Sequence, residues 1–198
     1  PDYAEAHINL ANTLNGQGKL NEAELSYRKS IALKPDYAEA HNNLGVMLQK
    51  ELRRLNEAEL SYRRSIALKP DYAKAHNNLG VILQEQGRLN EAELCYRKAI
   101  ALKPDYAEAY RNLVLIKRFD SQNELYLKIQ KLHLNENISK QQLCHTNFAL
   151  AKICEDSEDF KQAFNHYREG NELRKNLLNY DISEDIEMFN QLKTNYLQ

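Results

Sequence analysis

The sequence predicts an all-α fold, a right-handed superhelical solenoid of helix-turn-helix repeats with a C-terminal helical extension, and three observations lead there. The tetrapeptide PDYA begins at Pro1, Pro35, Pro70 and Pro104, which are all the prolines of the chain. Successive copies are 34, 35 and 34 residues apart, a period at which stacked helical hairpins repeat. Between the prolines, apolar residues recur at three and four residues, the spacing of one helix face.

Each repeat reads as two amphipathic helices. In the first, Leu10 and Leu14 mark one stripe and Leu20, Ala23, Tyr27 and Ile31 the other. Neither stripe is stable alone, so each hairpin is expected to bury its own against the next. Ala11 and Ala23 are small where two axes must approach, and Tyr27 and Leu33 are expected to fill the space around them. Proline ends the second helix and fixes the entry to the next repeat.

The hairpin turns read GQGKLN and EQGRLN in the first and third copies, which predicts positive φ at Gly18 and Gly87. The second copy reads KELRRLN, one residue longer and without glycine, which predicts a lengthened, distorted turn around residues 51–54.

From about Lys117 the strict repeat fades while helical patterning persists. We divide the chain into residues 1–117, three regular repeats plus the first helix of a fourth, and residues 118–198, degenerate hairpins with a capping helix. Ser121 with Glu124, and Ser139 with Gln142, are capping-box patterns. They predict a helix over about 122–133, with Leu125, Ile129 and Leu132 on one face, and another after Ser139. Leu150, Ala151, Cys154, Phe160, Ala163, Tyr167 and Gly170 then restore the repeat spacing as a fifth hairpin. A last helix is predicted from about Ser183, with Ile186, Phe189 and Leu192 on one face.

The repeats resemble the tetratricopeptide repeat family. Counting from Ala4, the small and large positions of that motif fall on Leu10, Ala11, Leu14, Ala23, Tyr27, Ser30 and Pro35, and they recur in the copies starting at Ala38 and Ala73. The motif departs at its aromatic fourth position, which is His7, His41 and His76 before becoming Tyr110. The resemblance implies protein–protein interaction. In the second half, KRFDSQNELYLKI, FALAKICEDSEDFKQAFNHYREGNELRK and NYD, within residues 117–185, resemble the segment that joins repeats to the catalytic domain in bacterial tetratricopeptide-sulfotransferase proteins. That implies, as an alternative, a non-catalytic arm recruiting substrates for a sulfotransferase or glycosyltransferase. No phosphosulfate-binding loop stands in these 198 residues, so no catalytic residue carries over and the chain itself is not read as an enzyme.

The candidate binding site is a series of amides. Asparagine holds the sixth position of four successive repeats, at Asn9, Asn43, Asn78 and Asn112, a spacing that resembles the array of O-linked N-acetylglucosamine transferase. These positions are expected to face the concave side of the superhelix. A carboxamide both donates and accepts, which suits it to hold the backbone of an extended peptide whatever its side chains. Asn12, Asn42, Asn77 and Arg111 complete the predicted groove set. Four asparagines in helix interiors also run against helix propensity, which argues for a use; the plainer reading is helix–helix polar contact. A terminal-carboxylate clamp is not predicted, because its five positions read Ile8, Asn12, Asn43, Lys74 and Asn78, and two of the three cations are missing.

Other groups read as structural. His7, His41 and His76 are too widely spaced for one metal and fill the aromatic slot. Cys144, His145, Cys154 and His166 share one hairpin, yet Cys154 holds a core position and Cys144 and His145 point apart on a helix. No metal site and no cofactor are predicted. Arg28, Arg63 and Arg97 each follow a glutamate by four residues, at Glu24, Glu59 and Glu93, which predicts intrahelical ion pairs.

Net charge is −1 with 28% charged residues, so no global field recruits nucleic acid or an anionic membrane. No apolar run reaches the roughly 20 residues of a membrane span. Three cysteines without CxxC spacing suit a reducing, cytoplasmic location. The expected partner is a protein or peptide. Pro1 stands in mid-motif, so the chain reads as an excised piece whose first helix, with Ile8 and Leu10, is expected to self-associate.

Overall fold

The computed structural model describes residues 3–51, 53–179 and 186. Among them run α1 (Tyr3–Gly16), α2 (Leu20–Leu33), α3 (Ala38–Lys50), α4 (Leu55–Leu68), α5 (Ala73–Glu85), α6 (Leu89–Leu102), α7 (Ala107–Ile116), α8 (Glu124–His133), α9 (Lys140–Asp156) and α10 (Phe160–Leu178), with no strand among the described residues. The chain forms two compact units, residues 1–116 and 117–198.

The first unit is a helical solenoid: α1 pairs with α2, α3 with α4 and α5 with α6, and each hairpin packs on the next through α2–α3, α4–α5 and α6–α7. A buried tyrosine centres each hairpin, at Tyr27, Tyr62 and Tyr96. Opposite the last two stand Gly45 and Gly80, where a Cβ would lie 2.7 Å and 2.5 Å from the tyrosine ring. Helix axes approach that closely only because glycine lacks the atom that would collide. The Tyr62 and Tyr96 hydroxyls donate to Gln49 Oε1 at 3.0 Å and Gln84 Oε1 at 2.8 Å. In the first hairpin Ala11 replaces that glycine, and the Tyr27 hydroxyl is directed to Asn12 Oδ1 instead.

The KPDY segments close each repeat as tight turns. The amides of Tyr37, Tyr72 and Tyr106 donate to the carbonyls of Lys34, Lys69 and Lys103 at 3.1 Å each. The same lysine ammonium groups sit over those tyrosine rings at 4.7, 5.0 and 5.4 Å. Serine ties the helices within a hairpin: Ser30 Oγ donates to the Ala4 carbonyl at 2.7 Å and Ser65 Oγ to that of Ala38 at 2.8 Å.

Gly18 and Gly87 take φ of 73° and 76°. The second turn has four residues between its helices where the first and third have three. Arg53, with φ 53°, occupies the place of the glycines, two residues before the second helix. Leu52 lies outside the described residues. The turn keeps its closing bond, Arg54 N–H to the Leu48 carbonyl at 2.8 Å, across one more residue than Arg88 to Leu83. The side chain of the next residue braces two repeats in the second and third turns alike. Arg54 bonds Glu24 of the preceding hairpin at 2.7 Å and Glu57 of its own, and Arg88 bonds Glu59 at 2.9 Å and Glu91 at 2.7 Å. The predicted pairs of Arg28, Arg63 and Arg97 with Glu24, Glu59 and Glu93 form at 2.7, 2.8 and 2.8 Å.

Two apolar expectations change in place. Leu44 and Leu79 are 4% exposed, whereas Leu10 at the same position is 48% exposed, and Ile8, at the position of Asn42 and Asn77, is the buried apolar residue of that turn. Leu33, at the last residue of α2, faces solvent rather than filling the interhelical space.

In the second unit α8 packs on α9, and α9 pairs with α10. Ile129, Leu150, Ile153 and Cys154 form its centre. The capping box predicted at Ser139 and Gln142 is complete in both directions. The one predicted at Ser121 is not the cap of α8: Asn123 is, its side chain accepting from the Leu125 amide, so the helix starts at Glu124. Asparagine two residues nearer the helix has the shorter reach to those first free amides. The α9–α10 turn passes through Glu158 at φ 63° and is closed by Asp159 N–H to the Cys154 carbonyl at 2.9 Å. The helix predicted from Ser183 lies outside the described residues apart from Ile186, which is helical and exposed.

Candidate functional site

The first helices of successive repeats, α3, α5 and α7, lie beside one another. Between them runs a groove of about 190 Å³ lined by Val46, Gln49, Lys50, Tyr62, Lys74, Asn78, Val81, Tyr106 and Glu108. Val46 and Val81 hold the same position of consecutive repeats, so the groove repeats with the helices. Lys50 and Lys74 against Glu108 leave it mixed in charge. Burial raises the Tyr62 and Tyr106 phenols well above their ordinary range, which keeps both hydroxyls protonated.

The asparagines pair across repeats rather than stacking sixth position on sixth. Asn78 Nδ2 donates to Asn42 Oδ1 at 3.0 Å, and Asn112 Nδ2 donates to Asn77 Oδ1 at 3.0 Å. Each bond runs from the sixth position of one repeat to the fifth of the repeat before. Asn42 Nδ2 passes the chain on to Asn43 Oδ1 at 3.2 Å, and Arg111 donates to Asn112 Oδ1 at 3.3 Å. Asn42 and Asn77 are fully buried and Asn112 is 4% exposed. The carboxamides of these three residues are buried between helices, where they make helix–helix polar contacts. Asn42 donates and accepts in these pairs, whereas Asn77 accepts through Oδ1 and its buried Nδ2 has no partner among the described residues.

The other five differ. Asn43, Asn78 and Arg111 are half-buried, and Asn9 and Asn12 are exposed. Asn78 lines the groove. Asn12 accepts from Tyr27, and Asn9 contributes its backbone carbonyl to the Thr13 hydroxyl at 2.9 Å. Sequence reasoning passed over Val46, Val81, Lys50, Tyr106 and Glu108. The recurrence of valine at the ninth position of two repeats is the signal that could have found the first pair.

The fourth-position histidines do the work of the tyrosine they replace. His41 Nε2 lies 3.1 Å from the Pro35 carbonyl and His76 Nε2 3.0 Å from that of Pro70, as the Tyr110 hydroxyl lies 3.1 Å from that of Pro104. Burial lowers the His41 pKa, so the ring is neutral and donates to that carbonyl.

Comparison with known proteins gives a consistent reading. A family model described as tetratricopeptide repeat matches residues 73–106, and one described as TPR repeat matches residues 11–51 and 50–87. No curated protein sequence matches the chain. Among solved structures, the first TPR of Spaghetti (RPAP3) bound to the HSP90 peptide SRMEEVD is similar, with 26% identity and a TM-score of 0.55 over 57% of this chain and 89% of that one. The crystal structure of MamA has a similar fold, with 22% identity and a TM-score of 0.54 over 91% of this chain and 83% of that one. The family matches lie within 11–106, so the resemblance of residues 117–185 to a sulfotransferase-linked segment finds no counterpart among them.

Proposed function

We propose that the tetratricopeptide repeats of residues 11–106 make this chain a protein-interaction module that holds an extended polypeptide along α3, α5 and α7. The observation that carries the reading is the groove itself, where valines alternate with an amide and charges of both signs. Such a surface suits a peptide whose backbone meets Asn78 and Asn43 while alternate side chains rest on Val46 and Val81. A similar structure holds a short acidic peptide. In this chain the lysines at positions 50 and 74 supply positive charge, and Glu108 opposes it, so side-chain charge alone does not select the ligand.

The test is Val81→Arg, which fills the groove while leaving the Asn42–Asn43, Asn78–Asn42 and Asn112–Asn77 bonds in place. Capture of peptides from an array should weaken by at least about tenfold, the equivalent of 1.4 kcal/mol, with helicity unchanged. Unaltered capture would count against the groove.

A further inference from the structure

In the second unit, away from the groove, α8 and α10 present three metal-ligand atoms to one another. One ring nitrogen each of His133 and His166 and a carboxylate oxygen of Glu169 lie within 4.8 Å of one another. His166 and Glu169 are three residues apart on α10 and share one face; His133 comes from the last turn of α8. The two rings meet edge to face, with centroids 5.6 Å apart and planes at 88°.

The hydrogen bonds behind the rings decide which nitrogen is free. His166 Nδ1 lies 2.9 Å from Asn147 Oδ1, and Asn147 is 1% exposed. A carboxamide oxygen only accepts, so Nδ1 carries the proton and Nε2 keeps its lone pair. His133 Nδ1 lies 3.1 Å from Thr146 Oγ1, whose single proton is already given to the Leu143 carbonyl at 3.0 Å. That ring must donate as well. Both imidazoles are thus held in the tautomer that ligates through Nε2, by consecutive, fully buried residues of α9. Protein metal sites fix their histidines in this way.

We infer that His133, His166 and Glu169 form a binding site for a divalent transition metal, Zn²⁺ being the best match to two imidazoles and a carboxylate. Ligand atoms around tetrahedral Zn²⁺ stand about 3.4 Å apart, so the three ligand atoms draw together by up to about 1.4 Å on binding, with the exposed Glu169 side chain free to rotate. Glu172 lines the same cavity of about 310 Å³, and its carboxylate or a water completes the four positions. The ion joins α8 to α10 across α9. The set is not the cysteine-containing group read from the sequence: Cys144 is buried with Sγ 3.5 Å from the Gly170 carbonyl, and of that group His166 alone takes part.

Zn²⁺ is titrated into the metal-free full chain in competition with a chromophoric chelator, and Co²⁺ absorption reports the ligand set. The expected result is one ion per chain, a raised melting temperature and a Co²⁺ spectrum of nitrogen and oxygen ligands. Glu169→Gln and His166→Ala should each weaken binding by at least about tenfold, and Thr146→Val, which leaves all three ligands in place, by about 10- to 100-fold. If His166→Ala loses helicity, the exposed Glu169→Gln decides. The absence of saturable binding, equal affinity in Glu169→Gln, or a thiolate band with Co²⁺ would overturn the site.

Discussion

The Asn78 carboxamide donates to Asn42 Oδ1 across 3.0 Å, so an accessible groove residue of one repeat is oriented by a buried residue of the repeat before it. In the proposed binding mode the pair couples stacking to recognition, because what locks α5 on α3 also orients Asn78 in the groove. Asn42→Ala empties a fully buried position and takes the acceptor from the half-buried Asn78, and stability should fall by about 1–3 kcal/mol. Urea unfolding of that variant beside Asn9→Ala checks this, since the exposed sixth-position Asn9 of the first repeat should cost much less. Equal midpoints would contradict the assignment.

Gly45→Ala and Gly80→Ala should each destabilise by about 1–3 kcal/mol, because the new methyl meets the rings of Tyr62 and Tyr96. Gly16→Ala meets nothing within 4 Å and sits in a helix, so it should stabilise by up to about 1 kcal/mol. Thermal melting of the three variants separates the two kinds of glycine.

Arg88→Ala removes ion pairs to Glu59 and Glu91 that remain open to water, so the loss of stability should be small. Raising salt to about 1 M should shrink the difference from wild type. A loss that persists unchanged at high salt would show that packing of the arginine stem, not charge, braces the two repeats.

Burial pushes the Cys95 thiol up to about 11 from an ordinary 9.0 and raises that of Cys154 as well. Both should react slowly with alkylating reagents at neutral pH and quickly once unfolded. A raised folded value means that the protonated thiol is the favoured form. Its contribution to stability is therefore complete below pH 9 and fades as the pH rises towards 11. Mass-resolved alkylation along a pH series reads this directly.

Much of the fold was legible because each cue is local and repeated. Proline spacing, the three-to-four periodicity and the turn glycines mark α1 to α6, and Ser139 with Gln142 marks the start of α9. The helix α8 was misplaced by two residues because Ser121 and Asn123 offer similar capping chemistry, and the choice between them depends on where the chain enters the helix. Burial was harder to read. Leu10 and Leu44 are the same residue at the same position, and they differ only in whether a hairpin lies over them.

The site was legible in part for a related reason. The residue pair Asn42–Asn43 is visible in the sequence, yet which amide bonds across to the next repeat depends on the offset between neighbouring helices, a quantity no single repeat encodes. The convergence of His133 with His166 is likewise a tertiary contact between residues 33 apart that share no periodic signature.

The most direct test of the central claim is to titrate isotopically labelled chain with a captured peptide and follow backbone amide shifts by NMR. The account predicts that the perturbed residues cluster at Asn43, Val46, Lys50, Lys74, Asn78 and Val81, along α3 and α5. Shifts confined to the exposed leucines of the second helices, Leu25, Leu60 and Leu94, would place the ligand elsewhere and contradict it.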